Sequence, residues 1–164
     1  MIEVKRVGLL RYLLLSVLTF GLYNIWWVYK TWSFFQEKEK TDINPALRTI
    51  FSVIFLIPLF YKVQEKVLPN KYLRSLISIL LFTGILFFSL MAYLPPPSTY
   101  ICIVSLVFYI LPFQAYNQLL DASEEVIVIE QSSFNWMQII VLLIGGALWA
   151  LNLLAIIVRI TGLM

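Results

Sequence analysis

The chain has 164 residues, of which 61% are hydrophobic and only 13% charged, with a net charge of +3 and no histidine; its mean hydropathy is +0.88. Soluble domains run near half apolar and a quarter charged, so an ordinary water-soluble fold is excluded, and the natural reading of residues 1–164 is one all-α, polytopic membrane domain. The lack of histidine excludes Ser-His and Cys-His nucleophile pairs, His-based zinc sites and histidine proton shuttles. The single Cys102 excludes an intramolecular disulfide.

The first uncharged run is 12–29. Eighteen residues at 1.5 Å each give about 27 Å, just enough for a hydrocarbon core of about 30 Å. Gly21 lies in its middle, so a helix break with a re-entrant turn is also open. Lys5, Arg6 and Arg11 precede the run without a small-residue cleavage site after it, which reads as a retained segment. Trp26, Trp27, Tyr29, Lys30 and Trp32 follow as an aromatic belt with a basic edge, the pattern of an interfacial anchor. Glu37 to Lys40 then alternate in sign, as a solvated helix end does.

Asn44 and Pro45 predict a helix start, with a capping side chain followed by proline at the first helical position. The uncharged core that follows, 49–61, is short for a span at about 20 Å. It crosses only if Arg48, Lys62 and Lys66 snorkel; otherwise it is interfacial or re-entrant, and Pro58 permits a kink in either case. The runs 75–94 and 98–120 read as spans joined by a stiff turn at Pro95–Pro97, the second with a kink at Pro112. The acidic loop 121–133 carries a β-branched VIVI stretch suited to a short strand. The last run, 134–158, is capped by Ser133 and is long enough to cross with tilt. The stretches 79–88 and 141–150 echo one another, as do FLIPLF ending at Phe60 and YILPF ending at Phe113, which suggests a two-helix internal repeat.

Orientation follows from the Lys and Arg residues. Five spans with the N-terminus inside would place seven on the inner side and five outside; a crossing first segment and a returning second would make the ratio eight to four. If both front segments return, the ratio is eleven to one, with Arg159 alone on the far side. All three arrangements put the Pro95–Pro97 turn outside and the 121–133 loop in the cytoplasm.

Neither G-x-S-x-G nor a phosphate-binding glycine loop is present, so no catalytic residue, cofactor or metal is expected. The carboxylates flanking the apolar runs read as solvated charge and leave a lipid enzyme poorly supported. Neutral polar groups inside the runs are the remaining site candidates. Gln114, Tyr116, Asn117 and Asn152 could line a polar cavity, since Gln114 and Asn117 are three residues apart just past Pro112. Gly84, Gly145, Gly146 and Ala150 form small-residue faces suited to helix packing, with the last helix expected against the third. The expected partners are membrane lipids, a second copy of the chain or a larger membrane complex, with no nucleic acid. A small-solute transporter or channel is the alternative function.

Thr19, Gly21, Tyr23, Trp27, Tyr29, Lys30 and Trp32 spell T-x-G-x-Y-x-x-x-W-x-Y-K-x-W. This resembles the signature of a bacterial family of small multi-helix membrane proteins defined by a domain of unknown function. Asn44, Pro45, Arg48 and Phe51, and further on Pro112, Gln114 and Asn117, also resemble that family. The resemblance implies a multi-pass protein of a bacterial inner membrane, and it carries no activity, cofactor or catalytic residue.

Overall fold

The computed structural model describes residues 2–95, 98–131 and 133–161. Its helices are joined by one small sheet, in which a strand β1 (Ile2–Arg6) pairs in parallel with β2 (Val126–Glu130), Ile2 opposite Val126 and Arg6 opposite Glu130. The VIVI stretch is therefore a strand as expected. Its partner β1 went unpredicted, and the sheet qualifies the all-α expectation.

Three helices are long and apolar enough to cross a membrane: Lys71–Tyr93, Ser98–Asp121 and Gln138–Val158. They match the three long apolar runs of the sequence. The first expected span, 12–29, is instead two helices, α1 (Leu9–Leu18) and α2 (Leu22–Glu39). α1 ends in a Schellman turn, with the Phe20 N–H donating to Val17 O and the Gly21 N–H to Ser16 O. Phe20 and Gly21 both adopt positive φ, 53° and 86°. Glycine does this freely, whereas a left-handed phenylalanine costs about 1–2 kcal/mol. The Thr19 hydroxyl then accepts the Tyr23 N–H at 3.0 Å and starts α2.

The second expected segment, 49–61, also divides, into α3 (Pro45–Ile50) and α4 (Ser52–Val63). Asn44 caps α3 by accepting the Leu47 N–H at 3.1 Å, with Pro45 in the first turn. The break at Phe51 follows Thr49, whose hydroxyl donates to the Pro45 carbonyl at 2.8 Å, a back-bond that bends helices. After α5 (Lys71–Leu90), residues Ser98–Tyr109 form a 3-10 helix, which continues as α6 (Ile110–Asp121). Such helices seldom exceed one turn. The expected kink at Pro112 thus takes the form of a change of helix type, and Pro112 sits in the first turn of α6, where its missing N–H costs little. Pro96 and Pro97 of the expected turn lie outside the described residues. The last helix, α7 (Trp136–Thr161), begins after Asn135 and not at Ser133, because Gln138 reaches back to accept the Asn135 N–H at 3.0 Å.

Polar contacts gather several segments at one end of the molecule. Arg6 pairs with Asp121 at 2.6 Å and with Glu130. Lys38 donates to Ser123 Oγ at 2.9 Å, and Lys62 pairs with Glu39 at 2.5 Å. α1–α2 and α3–α4 are consequently hairpins that leave this polar cap and return to it. Phe20 at the tip of the first hairpin stacks on Trp149 at 4.8 Å, and Trp149 Nε1 donates to Val17 O at 2.9 Å. Residue 149 is near the centre of the Gln138–Val158 helix, so the tip stops about halfway along it.

The core lies between the hairpins and α6. Tyr12, Trp27, Trp32, Leu59, Phe60, Phe113 and Leu120 are buried there. Asn24 Oδ1 accepts both the Tyr12 hydroxyl at 2.7 Å and the Ser16 hydroxyl at 2.8 Å, tying α1 to α2.

Candidate functional site

A cavity of about 540 Å³ opens between the polar cap and the first hairpin. That volume is within the usual range for small-ligand sites, about 300–1,000 Å³. α2 supplies one wall through Tyr23, Trp26, Trp27, Lys30, Ser33, Phe34 and Glu37. At 100° per residue these side chains all fall within about 60° of Lys30 around the helix axis, and they form a single stripe. β1 contributes Glu3, Lys5 and Arg6, α6 contributes Phe113, Tyr116 and Asn117, and Gln131, Asn135 and Gln138 close the remaining side.

The inner wall is aromatic. Trp27 meets Tyr116 edge-on at 6.2 Å and Phe113 at 6.1 Å, while Phe34 meets Tyr116 at 5.6 Å. Trp27 is 6% exposed, and its indole N–H has no hydrogen-bond partner among the described residues. Lys30 Nζ stands 5.0 Å from the centre of the Trp26 ring, and both side chains are exposed. On the cap side, Gln131 Nε2 donates to Gln138 Oε1 at 2.5 Å and to Ser133 O at 2.8 Å.

The charges around the cavity divide into two sets. Arg6 is already neutralised by Asp121 and Glu130, and its hydrogen bond to Glu130, reinforced by both carboxylate charges, raises its pKa. Glu3, Lys5, Lys30 and Glu37 make no ion pair among the described residues. These charges and the aromatic wall equip the cavity to hold an amphiphilic molecule. No described group of three or more His, Cys, Asp and Glu side chains is placed to bind a metal.

The expected site residues are scattered by the fold. Tyr116 and Asn117 line the cavity. Gln114 is exposed, because residues three apart differ by about 60° around a helix and the edge of the buried face of α6 falls between them. Asn152 is exposed on α7 and donates to its own helix at Leu148 O, 3.0 Å away. The four residues therefore do not form one cavity. Within the expected belt, Trp26 and Lys30 are exposed and Tyr29 is half-buried, whereas Trp27 and Trp32 belong to the core. Trp32 points about 160° away from Lys30; it packs instead against Phe55 and under the Arg48 guanidinium at 4.3 Å.

The glycines also part company. A side chain at Gly84 would strike Phe108, and one at Gly145 would strike the Leu18 carbonyl. Gly145 thus packs on α1 rather than on the third helix. Gly146 faces open space and Ala150 is exposed.

Sequence reasoning missed Ser33, Phe34 and Glu37 as neighbours of Lys30, although their helical spacing from Tyr23 onward was available as a signal. Within the T-x-G-x-Y pattern, Thr19 and Gly21 build the hairpin turn, while Tyr23, Trp27 and Lys30 line the cavity. Comparison of the chain with protein-family models, with curated proteins and with solved structures finds no match.

Proposed function

We propose that this is a non-enzymatic, lipid-contacting integral membrane protein, with three crossing helices, two re-entrant front hairpins and a cytoplasmic cap that holds a membrane lipid in the cavity beside Lys30. The observation that carries this reading is the cavity itself, aromatic on its inner wall, charged at its rim and bordered by exposed Trp26 and Lys30. The family resemblance and the low charge of the chain support a bacterial inner membrane. Transport draws no comparable support, since Gln114 and Asn152 stand apart from the cavity.

The orientation rests on two arguments. The contacts of Arg6, Lys38 and Lys62 hold both hairpin bases at one end, and that arrangement is the eleven-to-one distribution favoured by the positive-inside rule. The turn at residues 95–97 is then periplasmic and the 121–133 loop cytoplasmic. In a Cys102→Ser background, single cysteines at Val4, Lys40 and Lys66 are expected to label only from the cytoplasm; periplasmic labelling of Lys40 would reject re-entry of the first hairpin.

Purification in a mild detergent is expected to retain bound phospholipid, measured by mass spectrometry of the intact protein. The same measurement reads out a second copy of the chain or a larger membrane complex. A strictly monomeric protein free of both lipid and companions would overturn the proposed function.

A further inference from the structure

The depth of each residue along α2 indicates which part of a lipid the cavity meets. The hairpin tip at Phe20 and Gly21 touches the centre of the α7 membrane segment through Trp149, and therefore marks the bilayer midplane. Counting 1.5 Å per residue from Gly21, Lys30 stands about 14 Å from the midplane and Glu37 about 24 Å, against a hydrocarbon edge at about 15 Å and a headgroup limit near 20–22 Å. Lys30 is at the hydrocarbon edge, and the Glu37 side chain, tilted toward the N-terminus of α2, reaches back to the outer headgroup level. Both lie on the stripe that faces the cavity.

In a phospholipid the phosphate is next to the glycerol and an amino-alcohol substituent lies farther out. A cation below and an anion above reproduce that order in reverse charge. The unpaired rim charges cancel, since β1 brings a second such couple in Lys5 and Glu3. An anionic headgroup would gain from the lysines and be repelled by the carboxylates, whereas a zwitterion satisfies both. A primary ammonium has three N–H donors to offer Glu37 and the Asn117 amide oxygen, and a quaternary ammonium has none.

Resting on the lipid-site reading above, we propose that the cavity selects a zwitterionic phospholipid whose headgroup ends in a primary amine, with the phosphate at Lys30 and the ammonium at Glu37.

The test uses the full chain in mild detergent, mixed with equal amounts of phosphatidylethanolamine, phosphatidylcholine and phosphatidylglycerol of identical acyl chains, with adducts counted by native mass spectrometry. The phosphatidylethanolamine adduct is expected to exceed the phosphatidylcholine adduct about tenfold, the scale of one charge-assisted hydrogen bond. Glu37→Gln is expected to bring that ratio close to one while retaining bound lipid. Lys30→Gln is expected to reduce all three adducts. Glu65→Gln, at an exposed carboxylate outside the cavity, is the control and keeps the wild-type ratio. Preferential retention of phosphatidylglycerol or phosphatidylcholine would overturn the headgroup assignment and leave a lipid site in place, as would a Glu37→Gln ratio equal to wild type. Absence of every adduct would overturn the lipid site as well.

Discussion

Replacing Asn24 by leucine is expected to open the first hairpin and cost about 2–6 kcal/mol, because two buried hydroxyls lose their acceptor at about 1–3 kcal/mol each. Tyr12 and Ser16 are 0% and 1% exposed, and both donate to Asn24 Oδ1. Neither has water at hand to replace it. The loss should be read as a lowered midpoint in denaturant titrations of the detergent-solubilised protein. Adding Tyr12→Phe and Ser16→Ala to Asn24→Leu removes the stranded donors along with their acceptor, and most of the stability is expected to return. A triple variant no more stable than Asn24→Leu alone would show that the hairpin is held by packing and not by this amide.

Gly145→Leu is expected to detach α7 from α1. A side chain there would meet the Leu18 carbonyl, which belongs to the last turn of α1 and has little freedom to withdraw. Pushing the helices apart would also break the Trp149 hydrogen bond to Val17 and the stack of Phe20 on Trp149. Overpacking of this kind costs about 1–3 kcal/mol or more. Gly146→Leu is the matched control, since the next residue along the helix faces open space; it should stay within about 0.5 kcal/mol of wild type. Equal losses from the two substitutions would place the effect in side-chain bulk along α7 in general, away from the α1 interface, since leucine improves helix propensity over glycine.

The parts of the fold that were legible were those set by length and local chemistry. Long apolar runs at 75–94, 98–120 and 134–158 announced three helices long and apolar enough to cross a membrane, and Asn44–Pro45 announced a helix start. Gly21 marked a break because few other residues accept its backbone angles. The two short front segments stayed ambiguous, since their apolar lengths of about 20–27 Å permit either crossing or return. The contacts that bring the ends of these segments together, made by Lys38, Lys62 and Arg6 with distant residues, leave no mark in local sequence.

Side-chain direction was the other limit. Trp26 and Trp32 look alike in a belt of aromatics, yet six residues of helix place them on different faces, one exposed and one buried. The cavity was less legible still, being assembled from β1, α2, α6, the segment before α7 and the first turn of α7. The amides singled out on α6 were judged by spacing alone, and the position of the neighbouring helices decided that Asn117 would reach the cavity and Gln114 would not.

The parallel pairing of β1 with β2 also bears on biogenesis. Ile2 pairs with Val126, 124 positions along the chain, so at about 5–20 residues per second the first strand leaves the ribosome about 6–25 s before its partner. During that interval two long apolar helices are made while Ile2–Arg6 waits with its backbone hydrogen bonds supplied by water. Cap closure is therefore a late, long-range event in synthesis. The cavity, which uses β1 as a wall, is completed only when most of the chain has already been made.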